Sequence, residues 1–307
     1  DEVWSSAEKL QNAARGKGLI PYLSSLSFPQ WLLLIAVCVL VCTGISFVIR
    51  LLRRRARARK ILSSEISNRE YKVVAKENGE IYSTYLAKEI DVSRRAYDQI
   101  DPAGRILFLV DTVPGADGKP QVWPVTGNFP MEQFASSRVE RCGDSLKITN
   151  TSHGMKATIE ISLPDMDSPA ELWNITIENQ TEKSRHLKVV PYLEWVLNKA
   201  LDDRWHTQYA RLYPEMEYVA ASNTMLSWQK STKSMGFLAT DVAPEGLHTG
   251  RVDFIGRGQS VWAPRALETL DFLPAQDMKA YPTFDPVGSL MVNTQVAPKS
   301  TATLRLM

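Results

Sequence analysis

The sequence predicts an all-β fold, a large antiparallel β-sandwich preceded by one transmembrane α-helix, and three observations carry that reading. An uninterrupted apolar stretch near the start of the chain is followed at once by a cluster of basic side chains. Beyond residue 70, hydrophobic residues recur at every second position, the period of a strand with one buried face. Helical periodicity is nearly absent there, and Gly, Pro and Asn punctuate short apolar runs.

The apolar stretch is WLLLIAVCVLVCTGISFVI, residues 31–49, and no charge occurs between Lys17 and Arg50. At about 1.5 Å per residue it spans roughly 29 Å, the hydrocarbon thickness of a bilayer. A buried core helix of this length would show a polar face, and a signal peptide would be led, not followed, by bases. The expected organisation is an N-terminal flank at 1–27, the span at 28–52, a basic juxtamembrane linker at 53–70 and the sandwich at 71–307. Trp31 suits an interfacial anchor. Cys38 and Cys42 lie one turn apart within the span, and Cys142 is the third and last cysteine, so no disulfide framework is expected.

Arg50, Arg53, Arg54, Arg55, Arg57, Arg59 and Lys60 directly follow the span. By the positive-inside rule they place the sandwich in the cytoplasm, with anionic membrane lipid as a partner. A run of bases can also neutralise nucleic-acid phosphates, but a position flush with the span favours the topogenic role. The chain carries 36 basic and 34 acidic side chains, a net of +2. Removing the seven bases of 50–60 and the balanced first 27 residues leaves the rest at −5. That sign argues against a nucleic-acid partner for the sandwich.

Within the sandwich the first apolar run is at 106–110. Met155, Ala157, Ile159, Ile161 and Leu163 then alternate with Lys156, Thr158, Glu160 and Ser162. Trp173, Ile175 and Ile177 repeat the pattern, and the polar turn 179–184 leads to a further run, so 172–179 and 186–195 are expected to form a hairpin. Shorter strands are expected at 225–228, 236–239 and 301–307.

The longest excursion is 198–218, NKALDDRWHTQYARLYPEMEY. Flat aromatic faces beside planar polar side chains suit a sugar, whose apolar C–H faces stack on rings while its hydroxyls pair with polar groups. Trp205, Tyr209 and Tyr213 are the candidate stacking surfaces, and Arg204 and His206 the candidate hydroxyl partners. The alternative is that these aromatics, with Tyr218, pin a long loop to the sandwich. A glycosidase would need two carboxylates flanking a cleft; Asp202 with Asp203, Asp165 with Asp167 and Glu215 with Glu217 are the available pairs, and loop acids are usually solvated. His153, His186, His206 and His248 lack metal-site spacing, no phosphate loop or nucleophile elbow occurs, and no cofactor is expected. The sequons at Asn150, Asn174 and Asn179 read as chance in a cytoplasmic domain.

Several blocks resemble glycoside hydrolase family 94, formerly glycosyltransferase family 36, which includes cellobiose and chitobiose phosphorylases and the C-terminal region of cyclic β-1,2-glucan synthase. The segment 171–197, ELWNITIENQTEKSRHLKVVPYLEWVL, resembles a hairpin of the family's N-terminal sandwich. DFIGRG at 253–258 with WAPRAL at 262–267, FDPVGSL at 284–290, the closing VAPKSTATLRLM and VWP at 122–124 resemble further family blocks in the same order. Residues 78–85 depart from the family's glycine-rich entry, and the loop that follows is shortened. The resemblance implies a supersandwich within a carbohydrate-active protein. Its implied partners are β-glucan or another oligosaccharide and a downstream catalytic (α/α)6 barrel, where the family's catalytic residues lie, so that no catalytic residue is expected within 1–307. The transmembrane span points within the family to the cyclic glucan synthases, bacterial inner-membrane proteins with this module on the cytoplasmic side. Other readings left open are a self-contained sandwich enzyme acting on sugars, mutarotase-like or transglycosylating, and a purely structural scaffold.

Overall fold

The computed structural model describes residues 62–96, 104–127 without 114, 116 and 117, and 137–307 without Tyr213, together with Ser27, Pro29 and Val37. The expected span 28–52 lies outside these residues apart from Pro29 and Val37. Among the described residues no helix is long and apolar enough to cross a membrane. Ile61–Met307 forms one compact unit.

Its first strands are β1 (Ser63–Ser67), β2 (Tyr71–Lys76), β3 (Ile81–Tyr85) and β4 (Ile90–Ser93). The stretch expected as linker thus already contributes a strand, whose Ile66 is buried in the core. β5 (Arg105–Asp111), β6 (Gln121–Pro124), β7 (Ser137–Cys142), β8 (Ser145–Ser152), β9 (Met155–Ser162), β10 (Leu172–Asn179) and β11 (Arg185–Asn198) follow. Two short helices, α1 (Ala200–Trp205) and α2 (Thr207–Ala210), precede β12 (Pro214–Val219), β13 (Thr224–Gln229), β14 (Ser234–Ala239) and β15 (Gly246–Gly250). Then come α3 (Arg251–Ile255), α4 (Arg265–Thr269), β16 (Leu273–Pro274), β17 (Met278–Pro282), β18 (Pro286–Val296) and β19 (Thr301–Leu306).

Among the described residues the strands form three antiparallel sheets. The large first sheet runs β1-β2-β3-β4-β11-β18-β15-β16, with β5 and β6 attached through β11. The second is β19-β10-β9-β8-β7 and the third β14-β13-β12-β17. β11 is the spine, and its alternation sorts the cores. Leu187 and Val189 pack with Ile159, Ile175 and Leu304 of the second sheet. Farther along, Leu193, Trp195 and Leu197 pack with Met216, Met225 and Leu238 of the third sheet. Even positions such as Val190 and Tyr192 face the other way, onto Phe254 and Ile255 of α3 and Leu267 of α4. Period-two alternation in β11 thus builds two cores on opposite faces of one strand.

The expected hairpin of 172–179 with 186–195 does not form. β10 pairs with β9 and β19, whereas β11 pairs with β18, β5 and β4. The turn between them carries the chain from one layer to the other. The buried Asn179 fastens this crossing: its Nδ2 donates to the carbonyl oxygens of Lys183, Val296 and Ala297 at 2.7, 3.1 and 3.1 Å. Trp173, Ile175 and Ile177 therefore face Leu187 and Val189 across the core instead of lying beside them. Alternation marks a strand's buried face but not whether its successor pairs or stacks.

Candidate functional site

The excursion expected as one long loop is mostly ordered into other elements. α1 and α2 occupy its first half, and Pro214–Val219 is strand β12, where Tyr218 is a core residue rather than a loop aromatic. Tyr213 lies outside the described residues. The other four candidate residues are exposed, Arg204 and Trp205 on α1, His206 between the two helices and Tyr209 on α2, with Trp205 71% and Tyr209 58% accessible. The Arg204 guanidinium lies over the Trp205 ring, 5.6 Å from its centroid, and His206 meets Tyr209 edge to face at 6.4 Å. Leu201 is one helical turn before Trp205 and Leu212 follows α2; both are also exposed.

Two helices this short would not hold a surface in place by themselves. A buried ionic network underneath does so. At its centre is Glu194 on β11, fully buried on the face opposite Trp195. One carboxylate oxygen accepts from the Tyr192 hydroxyl at 2.8 Å and from Arg251 Nε at 3.0 Å. The other faces Arg94 Nη1 at 3.4 Å and Arg211 Nη1 at 3.3 Å. Arg211, just past α2, also pairs with Asp285 and with the buried Asp203 of α1, the latter at 3.5 Å. Gln229 Nε2 donates to the Ala210 carbonyl oxygen at 2.6 Å and Thr207 Oγ1 to that of Asp203, completing the brace.

The electrostatics follow from this geometry. Burial alone would raise the Glu194 carboxyl, but Arg211, Arg251 and Arg94 outweigh it and hold the group below its ordinary range. Burial, reinforced by the Glu194 charge, pushes the Tyr192 hydroxyl well above the usual phenol value. Burial works against the Arg211 cation, and Glu194, Asp285 and Asp203 more than offset it.

The same network reaches two further exposed apolar residues. The Arg251 N–H donates to the Asp285 carbonyl oxygen at 3.1 Å, tying α3 to the 284–285 segment. Val252 and Phe284, the neighbours of those residues, are exposed at 50% and 64%. The network was not foreseen, although one signal was present: Glu194 is the lone acid within the apolar run of β11.

None of the carboxylate pairs considered from sequence flanks a cleft as a pair. Asp203 is buried against Arg211 while Asp202 is exposed. Asp165 accepts from the backbone N–H groups of Asp167 and Ser168 in its own turn, and Asp167 pairs with Arg69 at 3.2 Å on the surface. Glu215 pairs with Lys230 at 2.5 Å.

The blocks that carried the family resemblance are structural in this arrangement. Phe254 and Ile255 fill the core under α3, Gly256 turns the chain at φ +87°, and Asp285 anchors Arg211. The glycosyl hydrolase 94 supersandwich domain matches residues 46–307. The chain belongs to this family. A comparison with curated proteins found no match. Among solved structures the glycosyl hydrolase 94 supersandwich resembles a 4-alpha-glucanotransferase from Thermococcus litoralis, at 9% identity and a TM-score of 0.43, over 81% of this chain and 37% of that one. It also resembles a polysaccharide lyase, at 11% identity and a TM-score of 0.42, over 76% of this chain and 30% of that one. The chain therefore spans well under half the length of either.

Proposed function

We propose that this chain is the membrane-anchored, non-catalytic supersandwich of a cyclic-β-glucan-synthase-like or glycoside-phosphorylase-like protein, and that its α1 to α2 face seats the catalytic (α/α)6 barrel. The family membership supplies the carbohydrate context. The observation that carries the docking role is the exposed apolar set Leu201, Trp205, Tyr209 and Leu212 on and beside two helices held by a buried ionic network, with exposed Val252 and Phe284 next in sequence to its members Arg251 and Asp285. Apolar residues grouped over a rigid base mark a protein contact surface, and half of these are aliphatic, which a sugar does not require.

A second reading is favoured by the rings themselves. Trp205 and Tyr209, with Arg204 and His206 beside them, could stack and pair an oligosaccharide. Titration of the full chain with β-1,2-gluco-oligosaccharides, followed by Trp fluorescence, separates the two. A saturable response that Trp205→Ala abolishes supports the sugar reading. No response at millimolar sugar, with capture of a separately expressed family barrel that Trp205→Ala and Phe284→Ala each weaken, supports docking; failure of both rejects the face as a functional surface.

The membrane anchor rests on the apolar stretch 31–49 and the seven bases after it. Retention of the full chain, but not of 61–307, in alkali-washed membranes is the expected result. Release of both removes the anchor, and with it the assignment to a bacterial inner membrane with the sandwich on the cytoplasmic side.

A further inference from the structure

β11 does not run straight into α1. Trp195 stands opposite Ser93 of β4 and Asn198 opposite Asp91, so β11 carries one residue more than β4 over the same rungs. The extra residue makes a β-bulge, and Leu197 within it has left-handed backbone at φ +47° while its side chain stays buried. Bulky residues seldom adopt that conformation, and such departures gather where a neighbouring side chain has to be re-aimed. Here the neighbour is Asn198, which reaches the wall of a cleft of about 460 Å³. Small-molecule sites have volumes of about 300–1,000 Å³.

Three parts of the chain enclose the cleft. Ile90, buried at the start of β4, supplies an apolar wall. The turn between β13 and β14 supplies a rim with Ser231 and Thr232. That rim is fastened on both sides: Lys88 Nζ donates to the Thr232 and Lys233 carbonyl oxygens at 3.2 and 2.7 Å and to Ser234 Oγ at 3.2 Å, and Thr232 Oγ1 donates to the Leu197 carbonyl oxygen at 2.7 Å. The third part is the start of α1. Lys199 and Asp202, three positions apart, line the cleft, while Leu201 and Trp205, four apart, form the neighbouring exposed face.

With Lys88 occupied, a small set of polar groups is left over. Asn198 Oδ1 accepts from the Lys199 N–H at 2.8 Å, which leaves its Nδ2 to donate. Among the described residues, neither that amide nitrogen nor the Lys199 ammonium, the Asp202 carboxylate or the Ser231 hydroxyl has a side-chain partner of its own. Their two charges cancel, so an anion would meet Asp202 and a cation would meet Lys199. Donors and acceptors without net charge, beside an apolar wall, match a sugar ring, whose hydroxyls both donate and accept and whose C–H groups are apolar.

We propose that this cleft is a subsite for one pyranose unit of a neutral oligosaccharide. Asp202 accepts from its hydroxyls, Asn198, Lys199 and Ser231 donate to them, and Ile90 meets its C–H groups. The cleft uses none of the side chains offered for the α1 to α2 face and does not depend on the role given to that face.

The test is an NMR titration of the full chain, in a detergent without sugar headgroups, with the neutral disaccharides sophorose, cellobiose and lactose. At least one is expected to bind saturably with a dissociation constant of ~1–10 mM. Asp202→Ala is expected to weaken that binding about tenfold or more, through loss of a charge-assisted hydrogen bond, with the urea midpoint nearly unchanged because Asp202 has no side-chain partner in the fold. Trp205→Ala is expected to change it by less than about twofold. No binding of any of the three at tens of millimolar overturns the proposal, as does equal binding by Asp202→Ala. Loss of binding in Trp205→Ala but not in Asp202→Ala would place the sugar on the α1 to α2 rings instead and also overturn the cleft. Binding of glucose 6-phosphate without binding of any neutral sugar would make it an anion site and reject it as a neutral-sugar subsite.

Discussion

The Tyr192 hydroxyl donates to Glu194 Oε1 at 2.8 Å along one face of β11, so the strand at the centre of the largest sheet carries a fully buried carboxylate with three guanidiniums around it. Removing one member of such a group strands the others without water or partner. Glu194→Ala is expected to cost about 3–5 kcal/mol in urea unfolding. A loss under 1 kcal/mol would mean that the network relaxes or hydrates freely.

The same carboxylate sets an acid limit. Its folded-state pKa lies below the unfolded value, so its stabilisation is complete above about pH 4.3 and is lost as pH falls through the folded value. The midpoint of urea unfolding is expected to drop below pH 4.3 in the parent chain, and to drop less in Glu194→Gln. Parallel profiles for the two proteins would assign the acid limb to other groups.

His248 sets a second, milder limit. Its Nε2–H donates to the Asp271 carbonyl oxygen at 2.8 Å, and its ring lies between Phe254 and Phe272 at 5.7 and 4.7 Å. Burial lowers its pKa, as burial beside Arg185 does for His153. Above about pH 6.5 the ring is neutral in both states; below it the unfolded chain takes up a proton that the folded ring resists, so stability falls. Thermal midpoints measured between pH 7 and 5 are expected to decline, and His248→Gln to flatten part of that decline. An unchanged slope in the variant would exclude His248 as a contributor.

Trp195 is packed between two glycines. A Cβ on Gly236 would lie 2.5 Å from the indole Cζ3, and one on Gly288 would lie 3.0 Å from Nε1. Gly236→Ala is expected to cost about 1–3 kcal/mol by overpacking and to shift Trp195 emission. Gly288→Ala is expected to cost less. Equal and negligible costs would show that the ring has room to move.

Asn179 gives a prediction about the layer crossing. Asn179→Ala leaves three carbonyl oxygens without their donor, and about 1–3 kcal/mol is expected to be lost. Mass spectrometry of the chain expressed with a glycosylation system is expected to find this sequon unmodified, because its side chain is buried and occupied.

Much of the fold was legible because it follows from local periodicity. The alternation from Met155 to Ser162 and the runs of β5, β13, β14 and β19 each marked a strand where one formed. Alternation could not say that Trp173 and Leu187 face each other across a core, since a strand that pairs and a strand that stacks bury the same positions. For the site, the exposure of Trp205 and Tyr209 agrees with their mixture of rings and polar neighbours. Arg211 carries no such signal, because its partners Glu194 on β11 and Asp285 lie 17 and 74 residues away along the chain.

The sequence by itself determined the all-β class of the sandwich and the family blocks, because both are written in short-range spacing that each strand satisfies alone. Only the tertiary structure decided that β11 has a hydrophobic and an ionic section on the same strand, and that the second and third sheets meet through Ala239 and Met307. Those outcomes depend on which strands become neighbours, and sheet pairing joins residues whose separation along the chain leaves no local trace.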